Sequence, residues 1–323
     1  MEEPRQILAV TDLRLRFETE SGPVTAVDGV SFSLRAGEVL GVVGESGSGK
    51  SQMFLAIGRL NAANAEVSGQ IEFDGQDLSA IPEPALNRLR GKEFSYIFQD
   101  PMTALNPFRT VEAHLTEMLR LHRNLSGKAA SAEALRLLTS VRIPDPARRL
   151  KMYPHELSGG MRQRVVIAMA LSCQPQLIIA DEPTTALDVT VQLQVLDILD
   201  DLRRESGLSV VLITHDMGVV ARLSDRVMVV YAGRIVETGP TEALLLRPKH
   251  PYTQALLASS PDIHRSGKPL EPIEGQPPDP RAPRRGCLFA PRCPLAEARC
   301  RAEVPELLGR DRRVACHFAE PGA

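Results

Sequence analysis

Eight residues, Gly44-Glu45-Ser46-Gly47-Ser48-Gly49-Lys50-Ser51, constrain this chain more than any other part of it. They fit G-x-x-x-x-G-K-[ST], a loop that holds phosphate. The apolar run Val39-Leu40-Gly41-Val42-Val43 precedes them and reads as a buried parallel strand. Gln52 to Ile57 follow, with helical composition. The loop therefore sits in the strand–loop–helix setting it needs. Its glycines let successive N–H groups turn inward on phosphate oxygens. The helix that follows adds its positive dipole end. In such a loop Lys50 reaches the β- and γ-phosphates and the Ser51 hydroxyl holds Mg²⁺.

A chain of 323 residues can bury a large core and has room for more than one lobe. Its formal net charge of −2 argues against a general nucleic-acid binder, so no nucleic-acid partner is expected. No apolar run approaches the length that crosses a bilayer. Met1-Glu2-Glu3-Pro4-Arg5 has no apolar segment after a basic start, unlike a secretory signal. The expectation is a cytosolic protein, unless a partner holds it at a membrane.

Texture changes along the chain. Leu13 to Phe17, Val30 to Leu34 and Ile71 to Phe73 alternate as strands, the last entering a turn at Asp74-Gly75. Residues 110 to 170 carry Ala, Leu, Arg and Glu at helical spacing. Leu177 to Ala180 and Val210 to Ile213 are buried-strand runs separated by a helix from Asp188 to Arg204, a β-α-β unit. Arg226 to Gly239 reads as a hairpin through Ala232-Gly233. Beyond about residue 245 the prolines Pro261, Pro269, Pro272, Pro277, Pro278, Pro280 and Pro283 mark an extended arm leading to a small cysteine-bearing module. The boundaries that follow are 1–245 for the main domain, with a helical part at about 100–170, and 246–323 for the arm and module.

Other segments suit the phosphate loop. The strand ending in Asp181-Glu182 offers one carboxylate for Mg²⁺ and one to orient or deprotonate water, the two needs of phosphoryl transfer. His215 ends another apolar run and can bond a γ-phosphate or position water, although a lone histidine there also serves structure. Gln99 closes Tyr96-Ile97-Phe98 and can reach Mg²⁺ through its carbonyl oxygen. Leu157-Ser158-Gly159-Gly160 precedes an apparent helix from Arg162 to Ser172 and forms a second anion cradle as well as a helix cap. One chain has no use for two cradles on one nucleotide. Ser158 and Gly160 make sense as a cap on the γ-phosphate held by a second subunit.

The phosphate loop, Gln99, Leu157-Ser158-Gly159-Gly160, Asp181-Glu182, Ala186-Leu187-Asp188 and His215 occur in the order found in ABC-type ATPases, which the chain resembles over residues 44 to 215. Met161 stands where that family commonly has Gln, a departure that leaves the Ser-Gly-Gly cradle intact. The resemblance implies an α/β P-loop fold with an antiparallel β subdomain, a helical subdomain and a small C-terminal cysteine-bearing extension. It implies a head-to-tail dimer with two ATPs at the interface, each between one chain's phosphate loop and the other's Ser158-Gly159-Gly160. Glu182 would be the general base, Asp181 and Ser51 the Mg²⁺ site, His215 the γ-phosphate sensor, and Asp188 a bridge between sites. Phe17 is the aromatic placed to stack on adenine, with Phe32 the alternative. ATP favours the closed dimer and hydrolysis removes that bias.

A finer resemblance is to the ATPase subunits of oligopeptide, dipeptide and nickel importers. It rests on Gln99-Asp100-Pro101-Met102-Thr103-Ala104-Leu105-Asn106-Pro107, on Tyr153 to Arg164, on His250-Pro251-Tyr252-Thr253 and on the segment Gly286-Cys287 to Cys316-His317. It implies two separate membrane-spanning permease subunits, docked by the region between Gln99 and Leu157, and a second ATPase chain, related or identical. It also implies an extracytoplasmic solute-binding protein met only indirectly, and a peripheral place on the cytoplasmic face of the inner membrane. Peptide is the expected solute, with nickel or another small solute as the alternative.

Cys287, Cys293, Cys300 and Cys316 cluster near the C-terminus with spacing C-x₅-C-x₆-C-x₁₅-C, unlike a zinc knuckle or a ferredoxin run. In a reducing compartment a cluster suggests metal before disulfide. One Zn²⁺, a [4Fe–4S] cluster, free thiols and disulfides remain open from spacing. The importer resemblance implies the iron–sulfur cluster, as a staple for a core-poor module. His317 is a further candidate ligand. A soluble ABC-type ATPase acting on DNA, ribosomes or an enzyme complex, with no channel, is the rival function. The chain has neither the long insertions nor the second ATPase unit of those relatives, and it retains Glu182 and His215, which a non-hydrolysing scaffold would lose.

Overall fold

The computed structural model describes residues 5–185, 187–260 and 272–319. Ala186, Pro261 and Pro269 of the motifs above lie outside them. The chain forms two units, Met1–Ala80 with Leu212–Ala323, and Ile81–Val211.

The first unit opens with β1 (Gln6–Phe17), β2 (Val24–Arg35), β3 (Val39–Val43), α1 (Lys50–Ile57), β4 (Ala65–Phe73) and β5 (Gln76–Asp77). An antiparallel sheet runs in the order β2-β1-β4-β5. Leu13 and Leu15 are buried while Arg14 and Arg16 are exposed, so the expected alternation holds, and both strands reach well beyond the short runs that show it. Asp74 and Gly75, at φ 49° and 77°, make the two-residue turn that sets Phe73 opposite Gln76. All five residues of β3 are buried.

The second unit contains α2 (Glu83–Leu89), β6 (Phe94–Ile97), α3 (Pro101–Ala104), α4 (Val111–Arg123), α5 (Gly127–Ser140), α6 (Pro146–Arg149), α7 (Gly159–Leu171), β7 (Leu177–Asp181), α8 (Val189–Ser206) and the start of β8 (Ser209–Ile213). β6 and β7 are parallel, with Ile97 beside Ala180. Ser158 caps α7, which begins at Gly159 rather than at the Arg162 suggested by composition. The two glycines form the first helical turn because a cap and tight packing outweigh their low helix propensity.

The chain returns to the first unit through α9 (Met217–Leu223), β9 (Arg226–Tyr231), β10 (Arg234–Pro240), α10 (Thr241–Leu246), α11 (Pro251–Ala258), α12 (Ala298–Ala302), β11 (Leu308–Gly309) and β12 (Arg313–Val314). Strands follow the order β11-β12-β10-β9-β3, with β3 parallel to β9. Ala232 and Gly233 turn the expected hairpin, at φ 46° and 79°. No helix among the described residues is long and apolar enough to cross a membrane.

The cysteine-bearing segment is built into this unit's core. Phe289 is 2% exposed and meets Tyr231 and Tyr252 edge to face, with ring centroids 5.3 and 5.4 Å away. Val43 at the end of β3 belongs to the same apolar cluster. Full burial of an aromatic ring stabilises by about 1.5–3 kcal/mol. The apolar cluster therefore ties the C-terminal segment to the strand that carries the phosphate loop.

His250 opens α11 inside this core. Its Nδ1 accepts the Tyr252 N–H at 3.0 Å, so the other ring nitrogen carries the proton. Burial pushes the imidazole down to about 4, and the Glu237 charge opposes this only in part. An unfolded chain therefore takes up this proton first as pH falls. The stability involved is complete above the unfolded value of about 6.5 and is lost from there toward about 4. Between about pH 6.5 and 8 the His250 contribution to the urea midpoint should stay level, and below about pH 6.5 the midpoint should fall, with a shallower fall in His250→Asn.

Candidate nucleotide site

The phosphate loop leaves β3 at Gly44 and enters α1 at Lys50. Gly44 lies at φ 152° and Gly49 at φ 94°. A Cβ on Gly44 would sit 2.1 Å from the Val230 carbonyl, and one on Gly49 2.2 Å from that of Ala26. Lys50 is only 7% exposed. Its ammonium donates to the carbonyls of Gly44 at 2.7 Å and Glu45 at 3.0 Å, and the loop closes over it. Ser51 follows in the first turn of α1. A cavity of about 410 Å³ adjoins the loop, lined by Glu45, Ser46, Gly47 and Ser48 together with Thr25 and Pro278. That volume is in the range of small-molecule sites.

The arm forms one wall of that cavity. The Thr25 N–H donates to Pro280 O at 3.1 Å, and the Arg284 guanidinium donates to the Ala232 and Thr25 carbonyls. Phe17 ends β1 half-buried, whereas Phe32 is 6% exposed and packs on Phe54 at 5.4 Å. Phe32 is a core residue, which leaves Phe17 as the accessible ring. His215 stands exposed just past β8, where the neighbouring Thr214 N–H joins Val42 O at 3.1 Å.

The remaining candidates lie in the second unit. Gln99 Nε2 donates to Glu182 Oε2 at 3.0 Å, and Thr185 Oγ1 donates to the same oxygen at 2.8 Å. Glu182 adopts φ 47°, a left-handed conformation rare for residues with a side chain and concentrated at functional sites. Asp181 ends β7 beside it. Ser158 Oγ accepts the Met161 N–H at 3.3 Å, and Asp188 Oδ1 accepts that of Val191 at 3.0 Å. Ser158 and Gly159 are exposed at the start of α7. A Cβ on Gly160 would lie 2.4 Å from Val191 Cγ1, so this glycine lets α7 approach the helix that Asp188 caps.

The structure thus brings Gln99 to Glu182 within one unit, and closes the loop on Lys50 within the other. Sequence reasoning missed Thr185, whose signal is a hydroxyl three residues past an acid. It also missed Arg292 and the role of Tyr252. Arg292 grips Glu45, and Tyr252 receives the Glu45 N–H at 2.8 Å.

The expectation of a metal at the four cysteines finds no support in this geometry. Cys287, Cys293, Cys300 and Cys316 line one small cavity with His250 and His317, and all are free thiols rather than disulfides. Yet among the described residues no three His, Cys, Asp or Glu side chains form a group that could hold a metal ion. The thiols pack among Phe289, Pro305 and Phe318 as small apolar groups. Burial pushes the Cys287 and Cys293 thiols up, toward the protonated form.

Known proteins resemble this chain along most of its length. Residues 27–185 match the family described as ABC transporter, and residues 236–300 the family described as oligopeptide/dipeptide transporter, C-terminal region. The chain is 50% identical over 299 residues to the oligopeptide transport ATP-binding protein OppD of Escherichia coli, covering 93% of this chain and 89% of that protein. It is 50% identical over 302 residues to the dipeptide transport ATP-binding protein DppD of Bacillus subtilis, covering 93% and 90%. Among solved structures it is similar to the dimeric ATP-binding cassette MJ0796 in a post-hydrolysis state bound to ADP and Pi. There the identity is 27% and the TM-score 0.66, over 73% of this chain and 99% of that one.

Proposed function

We infer function from one premise: this chain belongs to the ABC transporter ATP-binding subunits of the oligopeptide/dipeptide type. It is an ATPase coupled to transport, the ATP-binding subunit of a peptide importer. The observation that carries this reading is the loop closed on buried Lys50 in a chain that also has the oligopeptide/dipeptide C-terminal region in its core.

Within that function we assign roles to side chains. Lys50 and the loop N–H groups hold the β- and γ-phosphates. Glu182, held by Gln99 and Thr185, takes the proton of the attacking water. His215 senses the γ-phosphate and Phe17 stacks on adenine. Ser158, Gly159 and Gly160 cap the triphosphate of a second chain, and Asp188 bridges the two sites. The hard oxygen donors of Ser51, Gln99 and Asp181 suit Mg²⁺. When bound, that ion neutralises charge on the transferring phosphoryl group. Residues 1–245 are taken as the ATPase domain, with 246–323 as its extension.

An ATPase of this type works as a dimer with membrane permeases. The finer assembly we propose has two permease subunits, a second ATPase chain related or identical to this one, and a solute-binding protein on the far side. The chain would then sit on the cytoplasmic face of the membrane. Affinity purification of the full chain from detergent-extracted membranes should bring the permeases with it. Recovery of the chain with only soluble partners would count against this assembly.

We also propose that Cys287, Cys293, Cys300 and Cys316 hold a [4Fe–4S] cluster. What supports it is the gathering of four thiols, the ligand type such a cluster takes, in one part of the fold; as placed, no three described side chains converge on a metal, so loading requires them to move. Anaerobically purified protein should be brown and carry iron. A colourless preparation with stoichiometric zinc would refute the cluster.

A further inference from the structure

Glu45 stands inside the phosphate loop, yet none of the roles above uses its carboxylate. Arg292 holds that carboxylate with a two-pronged ion pair, Nη1 to Oε2 at 2.7 Å and Nη2 to Oε1 at 2.9 Å. The Arg292 side chain is 4% exposed. It also donates to the carbonyls of Glu274 at 2.9 Å and Ile273 at 3.2 Å, and to the Tyr231 hydroxyl at 3.2 Å. The backbone of Glu45 is fixed at both ends. Its N–H goes to the Tyr252 hydroxyl, and its carbonyl accepts from the Lys50 ammonium.

We propose that Arg292 is a positioning residue for the ATP site. Resting on the ATPase reading above, it gives the C-terminal segment a hand in binding nucleotide. Two physical effects follow from the same fork. A planar guanidinium fixes a carboxylate in direction as well as distance, so Glu45 and the Lys50 ammonium bonded to it keep one geometry. The guanidinium also cancels a negative charge next to the cradle that receives a triphosphate. With Arg292 removed, an uncompensated carboxylate faces an anionic ligand, and the loop loses a strut.

The test uses the full chain, equilibrium binding of ATP with Mg²⁺, and steady-state hydrolysis. Arg292→Gln should raise KM and Kd for ATP about tenfold or more while kcat changes less, since the lost interaction acts on binding. The double variant Glu45→Gln with Arg292→Gln should recover the part of the affinity lost to the exposed charge, while the part lost with the strut stays lost. Arg292→Lys keeps the charge without the fork and should fall between wild type and Arg292→Gln. It also serves if the glutamine variant does not fold. Wild-type KM in Arg292→Gln or Arg292→Lys would overturn the proposal, as would a folded double variant no tighter than the single. Lys50→Ala is the control for the underlying reading. Wild-type turnover that Lys50→Ala does not abolish would sink the ATPase assignment itself, whatever Arg292 does.

Discussion

Glu182→Gln should bind ATP as wild type does, accumulate as an ATP-bound dimer, and lose turnover by about 10²–10⁴-fold. The substitution is nearly isosteric. The carboxamide oxygen can still accept from Gln99 Nε2 and Thr185 Oγ1, the two donors that hold Glu182 Oε2. The Thr185 N–H still reaches the Glu182 carbonyl, 3.2 Å away, so the left-handed backbone at φ 47° keeps its local support. What disappears is basicity. A carboxylate can take a proton from water attacking the γ-phosphate, whereas a carboxamide cannot. Binding is untouched because Lys50 and the loop N–H groups lie elsewhere in the chain. ATPase assays with size-exclusion chromatography in ATP read both halves of the expectation. Hydrolysis within about threefold of wild type would remove Glu182 from the role of base.

Local patterns were legible, and long-range pairings were not. Strand β3 could be read because five consecutive apolar residues ahead of a glycine-rich loop have few other uses. The turns at Asp74-Gly75 and Ala232-Gly233 were readable because a two-residue hairpin needs positive φ at both positions. The start of α7 was misplaced because Gly159 and Gly160 look like helix breakers, and the packing against Val191 that requires a glycine there is invisible in one dimension. Arg292 and Glu45 are 247 positions apart, so no window joins them. Each looked ordinary alone: one was a variable position of a loop, the other a basic residue before Cys293. Phe17 is the first choice in sequence but Phe32 stays open there, and the burial of Phe32 against Phe54 sets the alternative aside. For the cysteines, spacing told that they gather but not whether their sulfur atoms converge.

Gly49→Ala should damage both nucleotide binding and stability severely. Two penalties coincide at this position. At φ 94° an L side chain is strained, at about 1–2 kcal/mol. The new Cβ would also lie 2.2 Å from the Ala26 carbonyl oxygen, a backbone atom that cannot rotate away. Overpacking of that kind adds about 1–3 kcal/mol. The strain can be relieved only by moving the residue that immediately precedes Lys50 and caps α1. ATP affinity should therefore fall about a hundredfold, alongside a drop in the urea midpoint. Gly22→Ala separates the two penalties. Gly22 lies at φ 104° with nothing within 4 Å of its would-be Cβ, in the β1–β2 connection. Alanine there should lower stability by about 1–2 kcal/mol and leave nucleotide affinity unchanged. Equal effects of the two substitutions on ATP binding would mean that the close approach of the loop to Ala26 does not shape the phosphate cradle.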